Sequence, residues 1–577
     1  MKSKLDKKQI AAILKEMAVL LEILGENPFK VRAHENAARV IEGLPNLEEL
    51  VARDALISVK GIGEAMAKKV KTLMETGELP AHQRLLEKVP PGVLEMIKIP
   101  GVGPKKIRTL WQELNIISVD ELEEACSKNL LAELKGFGKK TQENILRNIA
   151  QYRRFRERHL ISDALQAARE LVSALSTLSV IERCDIAGSL RRRKETVKDI
   201  DLVVSAAPEH RNDIMNFFVS LPEVDSITMK GETKSTVVLT SGISADLRIV
   251  SDDQYPFLLH HLTGSKEHNV ALRQHALQLG LKISEYGLFK GEEMLPCNDE
   301  AELFQKLGMQ YIPPELRENM GEIEAALAHR IPKLIELEDL LGIIHVHTNW
   351  SDGVNTIEEM ARACMERGYQ YLAISDHSQA ATYANGLNEE RIRQQHAEID
   401  DLNTRLTPFR ILKSIECDIM ADGSLDFPDE ILSLFDLVIV SVHSRFNMSE
   451  EEATQRIIRA MENPFVTILG HPTGRLLLAR DGYPLNQSKV IEAAARLGVA
   501  IEINANPHRL DLDWRMCRYA IQKGVKLSIN PDAHRIEGLK DVEYGVGIAR
   551  KGWVEKKDVL NTWSAEEVLN FARNRHS

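Results

Sequence analysis

The sequence has few cysteines, and none of them is paired at short spacing. The six cysteines lie at positions 126, 184, 297, 364, 417 and 517 of 577 residues, without any Cys-x-x-Cys pair. This spacing argues against a disulfide framework and a zinc finger, and it favours a reducing cytoplasm. The sequence also has no long apolar run and no low-complexity tract. We therefore expect neither a signal peptide nor a membrane span.

Charge is distributed unevenly along the chain. The formal net charge is −11, yet residues 1–160 carry 28 Lys and Arg against 22 Asp and Glu, whereas the remainder carries 46 against 63. The mildly basic first 160 residues are suited to contact a polyanion, and metal-binding carboxylates would make the rest of the chain acidic. Charge alone leaves the partner open.

Three Gly-x-Gly breaks interrupt helical sequence within the first ~155 residues, at 61–63, 101–103 and 136–138. Such glycines allow a tight turn whose backbone N–H groups point outward at a helix N-terminus, where an anion can bind. No strand precedes them, so the dinucleotide-binding fingerprint does not fit. One copy is equally well explained as a packing turn. Three copies with basic residues behind them favour phosphate binding.

An acidic pattern marks the middle of the chain. Alternation places Asp199 and Asp201 on one face of a strand, and Asp246 lies in a second apolar strand. Three carboxylates on neighbouring strands are suited to hold two Mg²⁺ or Mn²⁺ ions for in-line displacement at a triphosphate. Gly188-Ser189 and the arginines that follow offer groups for phosphate oxygens. An isolated Asp-x-Asp pair, by contrast, is more often a solvated edge strand.

Between residues 340 and 535, short apolar runs end in side chains that bind metals. Six such runs lead into His345, His347, Asp376, His377, Glu416, His443, His471, Asp532 and His534. Helical stretches between the runs predict a parallel sheet or barrel, whose chemistry lies at the C-terminal ends of its strands. A lone histidine there is usually packed or solvent-facing, but six strand ends predict a multinuclear site. Mixed imidazole and carboxylate ligands suit Zn²⁺, Mn²⁺ or Fe.

Residues 1–317 resemble the family X DNA polymerases, the group that contains DNA polymerase beta. The resemblance runs from the Gly-x-Gly turns through the acidic triad to segments that begin at Leu262, Asn269 and Ser284. It implies that Asp199, Asp201 and Asp246 are catalytic metal ligands, with Asp246 the base for the primer hydroxyl. It also implies that Gly188, Ser189, Arg192, Gly264, Ser265, Asn269 and Arg273 bind the nucleotide, and that Gly61, Gly63, Gly101, Gly103, Gly136 and Gly138 bind DNA.

Two places depart from the family pattern. His261-Leu262 replaces an aromatic pair of the vertebrate enzymes, which leaves sugar discrimination open. Lys69 stands where relatives with deoxyribose-phosphate lyase activity place a Schiff-base lysine, but His34 stands where an aromatic is usual. A Schiff base needs a neutral amine, so burial or nearby cations must lower the lysine pKa. The alternative is a solvated lysine that faces DNA.

Residues 340–577 resemble the PHP (polymerase and histidinol phosphatase) domain, a distorted seven-stranded barrel with up to three metals. The resemblance implies three ligand sets: His345, His347, Glu416 and Asp532; Glu416, His443 and His471; and Asp352, His377 and His534. Closely spaced metals lower the pKa of a bridging water, so phosphoester hydrolysis is expected. The position of Asp352 is His in some relatives, which leaves the third site open. Asp376, Arg445, Arg475 and His508 are candidates for supporting or phosphate-contacting groups, or equally for structural ones.

The whole chain resembles the bacterial and archaeal PolX proteins. This implies a multidomain α/β protein with N-terminal all-α helix-hairpin-helix domains, an α+β nucleotidyltransferase palm and thumb, and a C-terminal distorted (β/α)7 PHP barrel. The expected boundaries are 1–82 for a helical domain with a helix-hairpin-helix, 83–158 for a fingers-like helical domain, 159–253 for the palm, 254–317 for the thumb, 318–339 for a linker and 340–577 for the PHP domain.

The resemblance implies a monomeric, cytoplasmic DNA polymerase that uses dNTPs to fill short gaps in primed or gapped DNA during repair. The barrel is expected to act as a 3′–5′ exonuclease or 3′-end-processing hydrolase, and cleavage at abasic sites is a further family-level expectation. Two alternatives stand beside this interpretation. One is a DNA-binding repair scaffold with decayed centres, and the other is a polymerase fused to a small-molecule phosphatase.

Overall fold

The chain forms two compact units. The computed structural model describes residue 5 and residues 7–44, 47–131, 134 and 136–575. The units are Met1–Glu157 and Arg158–Ser577. Within the described ranges, no helix combines the length and apolar character needed to cross a bilayer.

The described part of the first unit is helical. Its helices are α1 Lys7–Ile23, α2 Pro28–Gly43, α3 Leu47–Ala52, α4 Glu64–Thr76, α5 Pro80–Leu86, α6 Pro91–Met96, α7 Pro104–Leu114, α8 Val119–Ser127 and α9 Lys139–Arg156. Side-chain caps fix some of the starts: the Asn27 side chain accepts from the Phe29 N–H before α2, where Pro28 also presets the first turn. Its two larger apolar cores lie around Leu14 and Val70 and around Ile107 and Leu122.

The second unit begins with a five-stranded sheet, the palm. Its elements are β1 His159–Leu160, α10 Ile161–Leu175, β2 Arg183–Ile186, α11 Gly188–Arg191, β3 Thr196–Val197, β4 Asp199–Ser205, α12 Arg211–Val219, β5 Val224–Lys230, β6 Lys234–Leu239 and β7 Ser244–Val250. The strand order is β2-β4-β7-β6-β5, and β1 pairs with β3. Only the β4–β7 pair of the large sheet is parallel, so the starts of these two strands meet at one edge.

A smaller layer, the thumb, follows. Its elements are α13 Tyr255–Thr263, α14 Lys266–Gln278, β8 Lys282–Ser284, β9 Gly287–Lys290, β10 Glu293–Leu295, α15 Glu300–Lys306 and α16 Glu322–Leu327. The three strands form an antiparallel sheet in the order β10-β9-β8. Its core joins Phe257, Leu272 and Phe304 to Ile323 and Leu334. Part of the stretch predicted as a linker, 318–339, is therefore packed within the thumb core.

The rest of the second unit is a (β/α) barrel. Its elements are β11 Gly342–Val346, α17 Ile357–Glu366, β12 Tyr371–Ile374, α18 Glu389–Arg405, β13 Arg410–Asp418, α19 Asp429–Leu432, β14 Leu437–Ser441, α20 Glu450–Met461, β15 Val466–Leu469, α21 Gln487–Leu497, β16 Ala500–Asn504, α22 Trp514–Gln522, β17 Leu527–Asn530, α23 Val542–Lys551 and α24 Ala565–Arg573. Seven parallel strands follow one another in chain order.

A bridge between Val346 and Ala533 brings the two ends of the barrel sheet together. The strands are almost entirely buried because both faces of the sheet are covered, which explains their apolar sequences. Short 3₁₀ helices complete the described chain at Leu56–Ser58, Pro208–His210, Pro314–Leu316, Leu337–Asp339, Thr382–Ala384, Ile536–Asp541, Lys556–Asp558 and Leu560–Thr562.

Candidate metal centres and nucleic-acid interface

The three predicted palm carboxylates lie on the parallel strand pair. Asp201 of β4 stands in register with Asp246 of β7, and Asp199 lies at the start of β4. Burial, together with the charges of Asp199 and Asp246, raises the pKa of Asp201 to about 6. Like charges that are held together in this way are relieved by bound cations. The donor set, made of carboxylate oxygens alone, therefore fits Mg²⁺ or Mn²⁺.

Neighbouring side chains orient Asp246. The Thr236 hydroxyl donates to Asp246 Oδ1 at 2.6 Å, and Lys234 Nζ lies 2.7 Å from Asp246 Oδ2. Both residues belong to β6, the strand beside β7. Neither residue stands out in the sequence, because local sequence does not show which strands pair in parallel and which pair antiparallel.

The Gly188-Ser189 turn approaches the acidic cluster closely. Gly188 adopts a φ of +65°, and a Cβ placed there would lie 2.0 Å from Asp201 Oδ2. Only glycine permits both this backbone conformation and this approach. Ser189 is half-buried on α11 directly beside it. The structure thus places the predicted phosphate-contacting turn against the predicted metal ligands.

The remaining predicted nucleotide residues differ in their surroundings. Ser265 caps α14 by accepting from the His268 N–H at 3.1 Å. The Asn269 amide donates to the carbonyl oxygens of His261 and Gly264 at 2.7 and 3.3 Å, so it braces the turn itself. Arg273 is exposed on α14.

Arg192 is tied to two neighbours. Its Nε donates to Glu318 at 2.9 Å, and its NH1 donates to the Thr263 carbonyl at 2.6 Å. Although burial opposes ionisation of Glu318, the cations Lys551, Arg192 and Lys194 lower its pKa to about 2. Arg192 therefore has a fixed orientation.

The barrel gathers all nine predicted metal ligands at one end. They are His345, His347, Asp352, His377, Glu416, His443, His471, Asp532 and His534. Glu416, which is 1% exposed, lies at the centre. Its Oε1 is 2.9 Å from His471 Nε2 and 3.3 Å from His443 Nε2, and its Oε2 is 3.0 Å from His377 Nδ1.

The ligand atoms form three overlapping groups in which every pair lies within 4.8 Å. The groups are His345, His347 and Asp532; His377, Glu416 and His443; and His347, Asp352, His377 and His534. His347 and His377 are shared between groups, whereas the family pattern assigned each to one ion. Both His345 and Asp532 hold a left-handed backbone, with φ values of +65° and +51°. Such backbone strain persists only where the surrounding structure enforces it.

The cluster contains buried polar atoms that a cation would satisfy. Among the described residues, His345 Nε2, both ring nitrogens of His347 and Glu416 Oε2 have no hydrogen-bond partner. Burial opposes ionisation of Glu416, but His443, His345 and His377 hold its pKa well below the usual range. A buried carboxylate among imidazoles is the chemistry of a divalent transition-metal site, so the residues fit such ions.

Two further carboxylates orient the imidazoles. Glu502 Oε1 of β16 lies 2.6 Å from His345 Nδ1, and Glu502 Oε2 accepts from the His471 N–H at 2.6 Å. Asp418 Oδ1 lies 2.7 Å from His443 Nδ1. Neither carboxylate was predicted from the sequence. For Glu502, the sequence contained a signal: an acidic residue within the apolar strand Ala-Ile-Glu-Ile-Asn. A carboxylate buried in such a strand requires polar partners.

The four candidates for supporting or phosphate-contacting groups have three different surroundings. Asp376 is fully buried and accepts from the Thr348 N–H and hydroxyl, so it holds the loop that carries His347. The Arg475 side chain donates hydrogen bonds to backbone carbonyls and to Asp513, so its role is structural. Arg445 and His508 are exposed.

The three Gly-x-Gly turns share one geometry. The first glycine of each has a positive φ, between +83° and +100°. The second glycine of each is the N-cap of α4, α7 or α9 and provides no side-chain cap. Within the described ranges, a Cβ on any of these second glycines would meet no atom within 4 Å. Three helix N-termini are therefore open to a phosphate.

Lys69 lies beside a buried imidazole. Its Nζ is 2.6 Å from His34 Nε2, and His34 is 4% exposed. Burial and the charge of Lys30 lower the pKa of Lys69. Burial likewise lowers the pKa of His34.

Four family descriptions match segments of the chain. They are a helix-hairpin-helix domain at 6–79, a SAM-like helix-hairpin-helix tandem at 93–150, the DNA polymerase beta thumb at 258–318 and the PHP domain at 344–506. The fold and these matches thus define a multidomain protein that joins helix-hairpin-helix modules, a polymerase-beta-type thumb and a PHP barrel.

Sequence identity to known proteins identifies the family. The chain is 42% identical over 571 residues to the DNA polymerase/3′-5′ exonuclease PolX of Bacillus subtilis (strain 168), covering 98% of this chain and 99% of that protein. The chain therefore belongs to the PolX family. Over 38% of its length it is also 31% identical to a probable phosphatase of Thermoanaerobacter sp. (strain X514), and over 40% of its length 31% identical to a probable phosphatase of Caldanaerobacter subterraneus subsp. tengcongensis.

Proposed function

We propose that this chain fills short gaps in DNA from dNTPs in its palm and removes nucleotides from DNA 3′ ends in its barrel. The observation that carries the proposal is the clustering of three aspartates beside the Gly188 turn. Asp201 lies two residues after Asp199 on β4 and stands in register with Asp246 on β7. The 42% identity to the PolX protein of Bacillus subtilis, whose name includes both activities, supports it over almost the full chain.

In the palm, the three aspartates would hold two divalent ions, Mg²⁺ or Mn²⁺. Such ions supply charge neutralisation for the triphosphate and for the attacking primer oxygen. Ser189 and Arg192 would contact phosphate oxygens, and Asp246, oriented by Thr236 and Lys234, would accept the proton of the primer hydroxyl. The three open helix N-termini of the first unit would bind DNA phosphates without reading sequence.

In the barrel, the nine clustered ligands would hold up to three Mn²⁺, Zn²⁺ or Fe ions. Bound ions supply Lewis acidity toward a phosphoester and lower the pKa of water. The protein would hold the imidazoles in place through Glu502 and Asp418. Burial would keep other hydrogen-bonding groups away from the imidazole nitrogens. We further propose a cytoplasmic monomer, because both clusters come from one chain and all six cysteines are free.

Separate variants of the two centres test the proposal. With a primed, gapped DNA, Asp199→Ala should abolish extension and keep 3′–5′ degradation, whereas His345→Ala should do the reverse. Retained extension in the first variant or retained degradation in the second would refute it. A scaffold without catalysis predicts no metal-dependent turnover in either assay. A small-molecule phosphatase barrel predicts phosphomonoester hydrolysis without DNA degradation, the alternative that the phosphatase relatives favour.

A lyase function for Lys69 is a second candidate. The observation that favours it is the half-buried amine 2.6 Å from His34, with a lowered pKa suited to a Schiff base. Borohydride should then trap the protein on DNA with a 5′-deoxyribose phosphate, and Lys69→Ala should abolish trapping. Lys68, the exposed neighbour, provides the matched control. Trapping that survives in Lys69→Ala would exclude this role.

A further inference from the structure

A buried carboxylate joins the palm to the barrel. Glu318 Oε1 lies 2.9 Å from Arg192 Nε, 2.5 Å from Lys551 Nζ and 3.4 Å from Lys194 Nζ. Arg192 and Lys194 belong to the palm, whereas Lys551 ends α23 of the barrel. Three cations around one carboxylate leave an excess of positive charge close to the triphosphate-binding groups that the proposed function requires.

This arrangement fixes the orientation of Arg192. Glu318 fixes its Nε and the Thr263 carbonyl fixes its NH1. In the part of the chain that the structure describes, the hydrogen bonds of the Arg192 side chain come from Nε and NH1, which leaves NH2 without a partner. The Arg192 charge also acts on Asp201, whose pKa it lowers against the stronger effects of burial and the neighbouring aspartates. One nitrogen of a fixed guanidinium is therefore available to an anion.

Lys551 is built into the site rather than placed on its surface. Its side chain is 0% exposed, and Nζ donates to the carbonyl oxygens of Arg192 and Glu315 at 3.1 and 3.3 Å. The ammonium also lies 4.6 Å from the centre of the Trp514 ring. A buried ammonium is costly unless it is fully partnered, so these contacts fix its position.

We propose that Glu318 and Lys551 are positioning residues for the incoming nucleotide. Lys551 of the barrel holds Glu318, Glu318 holds Arg192, and Arg192 presents its free nitrogen to the triphosphate. The polymerase centre is therefore complete only when the barrel helix α23 is docked. The inference rests on the proposed function, since it assumes that the palm binds dNTPs.

Steady-state primer extension by the full-length protein tests this inference, with the concentration of one dNTP varied. Lys551→Met should raise the KM for the dNTP about tenfold, which corresponds to about 1.4 kcal/mol, and change kcat by less than about twofold. Glu318→Gln, which keeps the shape of the side chain, should act in the same direction. Combined with Arg192→Ala, Lys551→Met should have no further effect on KM, because it acts through Arg192.

Arg550→Met is the matched control. Arg550 precedes Lys551 on α23 and pairs with Glu315 and Glu336, so it reports general loosening of the same interface. The 3′–5′ exonuclease rate reports folding of each variant. An unchanged KM in Glu318→Gln and Lys551→Met, an equal rise in Arg550→Met, or additive effects with Arg192→Ala would overturn the inference. Failure of the wild-type protein to extend any primer would instead count against the proposed function.

Discussion

At the scale of single residues, Gly188 leaves no room for a side chain beside Asp201. We expect Gly188→Ala to lower the polymerisation rate about 100-fold or more, because its methyl group would displace the Asp201 carboxylate and a small misplacement of a reacting group costs about that much. Exonuclease activity should be unchanged. Single-turnover nucleotide incorporation measures the effect.

Gly242→Ala is the control for this substitution. Gly242 also has a positive φ, +83°, but a Cβ there would meet no described atom within 4 Å. It therefore shares the backbone strain without the close approach. If both variants lose polymerisation equally, the strain and not the Asp201 contact is responsible.

Single residues also show what local sequence could predict. Strand alternation and spacing predicted that Asp199, Asp201 and Asp246 lie on neighbouring strands. Glu502 and Glu318 were not predicted to matter, because Glu502 lies within an apolar strand and Glu318 lies in the stretch predicted as a linker. Their importance comes from partners 157 and 126 residues away in sequence, His345 and Arg192.

At the scale of elements, helix α18 contains a pH-sensitive group. His396 is 9% exposed, and its ring packs against Phe435 at 4.9 Å. Burial and the charge of Lys413 lower its pKa to about 4. Between pH 6.5 and pH 4 the unfolded chain therefore binds more protons at this site than the folded chain does, so stability falls as the pH falls.

We expect His396→Leu to reduce this acid sensitivity. From pH 6.5 to pH 4 the wild-type protein should lose up to about 3 kcal/mol more stability than the variant, by conversion of the pKa difference. Urea unfolding at a series of pH values measures it. His329→Asn, at an exposed position, should behave as the wild type. Parallel pH profiles for His396→Leu and the wild type would contradict the prediction.

The elements themselves were largely predictable. Apolar runs with intervening helical stretches predicted the parallel barrel strands, and the Gly-x-Gly breaks predicted helix starts, since both depend on local periodicity and backbone freedom. The antiparallel partners β5 and β6 of the palm were not individually predicted. Their pairing depends on contacts across the sheet rather than on neighbours in the chain.

At the scale of the whole molecule, bound metal should stabilise the barrel. After chelator treatment, adding Mn²⁺ or Zn²⁺ should raise the unfolding temperature of the wild-type protein by about 5 to 10 °C at about 100 times the dissociation constant. The reason is that the cations satisfy buried nitrogens and the central Glu416. Differential scanning fluorimetry measures the shift.

Glu416→Gln should abolish most of that shift, because the central carboxylate contacts three imidazoles. Asp199→Ala provides the control, since it lies in the palm and should leave the barrel response intact. An equal shift in Glu416→Gln, or the absence of a shift in the wild type, would show that the cluster does not bind these ions.

The sequence by itself determined which chemical groups are present: three palm aspartates, nine barrel residues predicted to bind metal and three glycine turns. Their residue types and local spacing follow from strand alternation and helix capping, which act over a few residues. Only the tertiary structure decided how ligands are shared, which carboxylates orient the imidazoles, and that Lys551 of the barrel contacts Glu318 beside Arg192. Burial and long-range pairing set these features, and they exist only once distant segments have packed together.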